Sequence, residues 1–481
     1  MRRSLTAALL AAVVVLGLTG CYPTAANAIG DLERFAMQLD GVESVETLTD
    51  EPENMAFPFG GTALGVAAVH LDADSWRESL PEVALAVQDW LATDQKRDKV
   101  KLSVGIVFPI GAVGLAADAS ETRDRLQLVE SLADDSNLTG FTVGFSSGGS
   151  IDLSNDTATV TLARNANASV ASVLAGLSPI LGGFAPDAPL EITSDADRSG
   201  TDAAVGNELR REFVATSSIQ SDSPIVTWVD GVDAITAITG WRVDDVGEAT
   251  VYATDAAALD SLEAELRGLP GAEAVTSLSL VTPELTIDGG GTDSVAAREL
   301  ATALVAAGIS SVSVSDGEVT VGALDVAGAR VVLQTAAAVP GAEVVRLDLT
   351  INLAASGANP CACIRVGGAT PAYLADVLPT LLELDPQSLD SVWVRAEDAV
   401  DASYESDDQA AMGAFLAAVH EQAIARGTSV AVSSDAGNDY YIVMFDAQPQ
   451  ITADDVWSGN HNAPQDKRHA QIIKLWNALD N

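Results

Sequence analysis

Apolar and polar residues alternate along this chain with two different periods, and the places where the period switches divide it into short elements. Residues 293–353 show the logic. Ala297, Leu300, Leu304 and Ala307 recur at the spacing of one helical face. Asp293 stands where an N-cap side chain is wanted, and Gly308 where a helix stops. The period then drops to that of a strand. In Val312-Ser313-Val314-Ser315-Asp316-Gly317-Glu318-Val319-Thr320-Val321 the Asp-Gly pair is a strong hairpin turn signal. It predicts Val314 opposite Val319 and Val312 opposite Val321, so that four valines share one face. Ser313, Ser315, Glu318 and Thr320 take the other. A helix over 326–338, a stop at Pro340-Gly341 and a strand over 342–353 complete an αββ-αβ succession, with two helices covering the valine face of an antiparallel sheet.

The same punctuation returns elsewhere. Leu269-Pro270-Gly271-Ala272-Glu273-Ala274-Val275 matches Val339-Pro340-Gly341-Ala342-Glu343-Val344-Val345. Leu39-Asp40-Gly41-Val42-Glu43-Ser44-Val45 is a third copy, and each lies between a helical pattern and a strand. Such self-similarity marks a repeat architecture. Reading outward from these anchors predicts αββαβ units over 29–118, 120–197, 202–290 and 291–356, then a less regular α/β region over 357–481. Turn-rich seams at 194–202 and 288–293 mark joins. The predicted class is α+β: tandem small αββ-αβ modules of split βαβ, ferredoxin-like type, each a mainly antiparallel sheet covered on one face by helices. The apolar stretch 104–117, broken by Pro109 and Gly111, reads as a buried strand with a turn and is too short to cross a bilayer.

Gly308-Ile309, Val312, Val314, Asp316-Gly317, Val319, Val321-Gly322 and then Pro340-Gly341 before the last strand form a run that resembles the BON domain, a small αββ-αβ module of bacterial envelope proteins. The resemblance covers the fourth unit well and the others in outline. It implies a non-catalytic role in envelope attachment, through phospholipid or protein partners.

The first residues differ from the repeats. Arg2 and Arg3 precede an almost unbroken apolar run over 5–18, and Leu18-Thr19-Gly20 leads into Cys21. A basic start, a short apolar core and small residues at its end read as a secretory signal peptide. The Leu, small residue, Gly, Cys pattern resembles the bacterial lipobox, which implies cleavage after residue 20 and diacylglycerol on the Cys21 sulfur. Residues 21–28 then form a lipidated tether. Acyl chains of the palmitate kind bind a membrane at about 0.8 kcal/mol per buried CH₂, so two chains hold firmly where one holds weakly. The expected location is the extracytoplasmic face of a cell membrane, with the membrane itself and an envelope protein as partners.

Charge narrows the function classes. The chain carries 25 Lys+Arg against 68 Asp+Glu, a formal net charge of -43. Losing Arg2 and Arg3 with the signal leaves 23 against 68, or -45. Affinity for phosphate backbones and anionic headgroups comes from Lys and Arg, so nucleic acid is excluded as a partner and headgroup binding by the repeats is opposed. Diffuse attraction of cations needs no dedicated site.

Reactive constellations are sparse. Gly144-Phe145-Ser146-Ser147-Gly148 fits the Gly-x-Ser-x-Gly elbow, but Ser146 is followed by a loop-like stretch where that geometry needs a helix. Asp195, Asp197 and Ser199 resemble the opening of a calcium loop, yet the twelfth place is Gly206 and Glu208 comes two positions late. An acidic turn between units is the plainer reading. Cys361 and Cys363 sit as Cys-Ala-Cys in a strand pattern and read as buried thiols, with a disulfide or a metal as alternatives. His70, His420, His461 and His469 show no ligand spacing and read as structural. Lys467, Arg468, His469 and Lys474, with Ile472, Ile473, Leu475 and Trp476, form a basic amphipathic helix that docks on its own acidic domain, on a partner or on a membrane. No catalytic set and no cofactor emerge. The expectation is a non-enzymatic envelope scaffold or spacer, with a solute- or cation-binding lipoprotein using an inter-module cleft as the alternative.

Overall fold

The computed structural model describes residues 25–50, 63–93, 100–116, 118–144, 159–184, 188–194, 210–289, 295–353, 362–385, 389–396, 399–404, 409–436, 439–457 and 465–480. Two compact units divide the chain: Met1–Ile235 with Gly240–Gly247 and Leu269–Ala274, and Thr236–Thr239 with Glu248–Gly268 and Val275–Asn481. Both are α+β and both follow one rule of construction.

The first unit contains α1 (Ala25–Ala36), β1 (Val42–Asp50), β2 (Ala63–Leu71), α2 (Trp76–Thr93), β3 (Val100–Phe108), β4 (Gly111–Gly114), α3 (Ala119–Leu132), β5 (Leu138–Val143), β6 (Val160–Arg164), α4 (Val170–Phe184), β7 (Pro189–Ser194), β8 (Arg211–Thr216), α5 (Pro224–Asp233) and β9 (Ile238–Asp244) from Gly240 onward. Strands joined by a turn or loop pair antiparallel, as β3 does with β4. Strands joined by a helix pair parallel, as β2 does with β3 and β4 with β5. Strand order along the sheet is therefore chain order. The stretch expected as a buried strand with a turn is β3 and β4, whose Val104, Ile106, Phe108 and Val113 are buried.

The second unit contains β10 (Glu248–Ala253), α6 (Leu259–Arg267), β11 (Ser277–Val281), β12 (Leu285–Asp288), α7 (Val295–Ala306), β13 (Val312–Ser315), β14 (Glu318–Leu324), α8 (Val326–Ala338), β15 (Arg346–Asn352), β16 (Cys363–Ala369), α9 (Pro371–Leu381), β17 (Leu389–Arg395), β18 (Ala399–Tyr404), α10 (Gln409–Arg426), β19 (Ser429–Ala436), β20 (Asp439–Asp446), β21 (Val456–Trp457) and α11 (Gln465–Asn477). The β13–β14 hairpin has the register its Asp-Gly turn demands, with Val312 opposite Val321 and Val314 opposite Val319. Asp316 and Gly317 both have positive φ, 52° and 78°, as the tight turn compatible with strand twist requires.

One row of registered partners crosses this sheet: Leu285, Val312, Val321, Leu349, Val366, Val394, Val400, Val430 and Phe445, all buried. Burying each such side chain contributes about 1.5–3 kcal/mol. Helices α7 to α11 pack in succession over this face. Each hairpin reverses the strand direction, so crossovers on a single face must alternate in hand, and every second one departs from the usual right-handed preference. The distribution of apolar residues supplies the reason: over β13 to β16 the opposite face presents Ser313, Thr320, Asp348, Thr350 and Arg365, which offer a helix little to bury against.

The αββ-αβ succession expected over 291–356 is present as α7, β13, β14, α8 and β15. Its sheet does not stop there. β12 pairs parallel with β13, and β15 antiparallel with β16, so neighbouring repeats continue one sheet.

The repeated glycine motif has a common backbone cause. Gly41, Gly271 and Gly341 have φ of 84°, 85° and 80°, each in the turn after a helix. At Gly271 a Cβ would stand 2.0 Å from the Pro224 carbonyl oxygen, so both conformation and space require glycine.

Candidate interaction face

Alternation in the strands of the second unit sends valines to the helices and a distinctive set of side chains the other way. In Ser391-Val392-Trp393-Val394-Arg395 of β17, Val392 and Val394 are wholly buried while Trp393 is 43% exposed. Trp393 pairs with Arg365 on β16 and with Asp401 on β18. The Arg395 guanidinium lies 4.4 Å from the centre of its indole and 2.8 Å from Asp401 Oδ2. Burial pushes the Asp401 carboxyl up, and Arg395 draws it part of the way back; Asp401 Oδ1 is buried with no hydrogen-bond partner.

Two and three strands away, on β15 and β14, a carboxyl pair faces the same side. Glu318 is registered with Arg346, and Thr320 with Asp348. Burial raises the Glu318 carboxyl above the ordinary range, and the charge of Asp348 and a hydrogen bond to it raise it further, with Arg346 opposing. Asp348 Oδ1 accepts the Gly368 amide at 2.6 Å. Gly367 links the two groups: a Cβ there would be 3.6 Å from Trp393 Nε1 and 3.8 Å from Asp348 Oδ1. The face over β14 to β18 thus holds Arg346, Arg365 and Arg395 against Glu318, Asp348 and Asp401, a local balance on a chain of net charge -43. Carboxyls hydrogen-bonded to each other lie closer than the pair that glycoside hydrolysis needs, about 5 Å or more apart.

Charges in the first unit are turned to structure. Arg164 is almost wholly buried on the helix side of β6, donates from Nη1 to the Ala168 carbonyl at 2.5 Å, and has Nη2 2.8 Å from Asp233 Oδ2, off the line of a good hydrogen bond. Arg211 Nη1 and Trp241 Nε1 donate to Asp233 Oδ1 at 2.9 and 3.2 Å. One carboxylate, with two hydrogen-bond donors and the charge of Arg164 beside it, anchors the end of α5 to β6, β8 and β9. On the other side of the sheet Arg210 bridges Glu191 and Glu212, at 2.5 and 3.2 Å.

The residues singled out by sequence do not gather into one place. Cys21, Ser146, Asp195, Asp197, Ser199, Cys361 and His461 lie outside the described residues. Gly144, at the head of the Gly-x-Ser-x-Gly run, has φ of 62° and packs against the Arg125 guanidinium. Cys363 is a buried free thiol. His70 Nε2 is 3.6 Å from Glu46 Oε2 across β1 and β2. His420 is buried beneath Trp476, ring centres 4.4 Å apart. His469 lies on α11. Among the described residues no group of three or more His, Cys, Asp or Glu is placed to hold a metal, and no helix is long and apolar enough to cross a membrane.

The set on the open face was not among the sequence candidates. A signal for it existed: Trp393 occupies the polar phase of a strand whose other phase is valine. No family model, no curated protein and no solved structure matches the chain.

Proposed function

We propose that this chain is an exported lipoprotein held by Cys21 on the extracytoplasmic face of a membrane, where its hairpin-and-helix repeats act as a non-catalytic interaction or spacer scaffold. The observation that carries the reading is Leu18-Thr19-Gly20-Cys21 at the end of a short apolar run with a basic start. The repeats support it in a second way. A sheet with helices on one side leaves its other side for contact. BON-like character of the individual units belongs to the same proposal.

Cell fractionation tests the anchor. Wild-type protein is expected in the membrane fraction with a mass increase on its first mature residue, and Cys21→Ser in the soluble extracytoplasmic fraction. An unmodified Cys21, or an unchanged distribution of the variant, overturns it.

A further inference from the structure

The chain has seven tryptophans. Trp228, Trp241 and Trp476 are fully buried, and Trp76 and Trp90 stack on Phe108 and Phe35. Trp393 and Trp457 are the exposed ones, at 43% and 58%. The register puts both in one transverse row of the open face of the second unit: Trp393, Asp401, Ala431, Met444, Trp457. Four strand spacings separate the two indoles, about 19 Å along the sheet.

From this row we infer that the open face binds an uncharged glycan, laid across β17 to β21 with a sugar ring on each indole. The inference names the ligand of the interaction face proposed above and rests on that part of the reading, not on the anchor. A pyranose has a C–H face and a rim of hydroxyls. The C–H face stacks on an indole, whose π-face is electron-rich and whose area is costly to leave in water. Hydroxyls donate to carboxylates and accept from guanidinium groups, and both stand beside Trp393: the side chain of Asp401 is partly exposed and that of Arg395 more so, with Arg395 holding the indole from one side. Charge selects the class of chain. The one charged side chain of the row, Asp401, is paired with Arg395, while the molecule as a whole carries -43, so a polyanion is repelled and a polycation meets no uncompensated carboxylate beside Trp393. Two indoles this far apart suit an extended oligomer better than a single small solute.

The test titrates the full mature chain with uncharged β-linked hexose and N-acetylhexosamine oligosaccharides, from the disaccharide to the hexasaccharide, by calorimetry and tryptophan fluorescence. Affinity is expected to rise with length until both indoles are spanned. Trp393→Ala and Trp457→Ala should each weaken the longest ligand roughly tenfold, and Val344→Ala, at an exposed apolar position elsewhere, should not. Circular dichroism checks that the variants fold. No saturable response to any of these sugars, or one indifferent to both tryptophans, overturns the inference. So does sedimentation showing a dimer that Trp393→Ala dissociates, or binding to phosphatidylcholine vesicles in place of sugars. Those two outcomes leave an interaction face standing with another occupant, and so separate failure of the glycan from failure of the scaffold reading.

Discussion

Glu318 and Asp348 share a corner of the open face where neither has full access to water. Glu318 ionises at a higher pH when folded than when unfolded, because burial and then the neighbouring carboxylate disfavour its charge. The folded state therefore binds this proton more tightly. Stability attributable to it is present at low pH and is lost as pH rises from the ordinary carboxylate range through the raised folded value. Glu318→Gln keeps an N–H toward Asp348 at every pH. The variant should melt above the parent at about pH 8, with the gap closing toward about pH 4, where the parent's own proton is in place. Equal melting differences at both ends would show that the pair does not share a proton. The same scale explains what sequence reading reached and missed. Gly41, Gly271 and Gly341 were legible because a repeated glycine after a helix has one common cause. The Glu318–Asp348 pair was not, because its partners are thirty positions apart and meet only through strand pairing.

Elements carry their own signals where these are local. Asp325 caps α8 by accepting the Gly328 amide at 2.7 Å, and Thr370 caps α9 just ahead of Pro371, which suits a first helical position. The tail helix is a different case, since its pattern admitted docking on its own domain, on a partner or on a membrane. In the fold it docks at home: Ile472 and Trp476 are buried while Lys474 is exposed. Trp476 Nε1 donates to the Gln448 carbonyl at 2.7 Å, and its ring meets His420 and Phe445. Asn477 adds a bond in each direction to the Ile451 backbone, at 2.9 and 2.8 Å. Trp476→Ala removes the anchor of α11 and should cost about 3–5 kcal/mol in denaturant unfolding, with protease cleavage near Lys474 appearing at lower denaturant than elsewhere in the second unit. Cleavage unchanged from wild type would mean that the helix is held by other contacts.

For the whole molecule, charge is the term that acts everywhere. Sixty-eight carboxylates against 25 cations repel one another in the compact state. Raising ionic strength from about 10 to about 150 mM shortens the screening length from about 30 to about 8 Å, so the melting temperature should climb by a few degrees over that range. A flat or falling curve in scanning calorimetry would mean that the paired arginines already offset the repulsion. At this scale the division between sequence and structure is sharp. Residue order by itself determined the α+β class, the hairpin register at Asp316-Gly317, the stops after helices and the acidic surface, because each depends on neighbours a few positions away or on composition alone. Tertiary structure decided that the repeats extend one sheet past their expected seams, that successive helices share a face at the expense of the usual crossover hand, and that Trp393 and Trp457 fall in one row. Those outcomes depend on which strand edge meets which, and a pairing such as that of Asp401 with Ala431 leaves no mark in either local pattern.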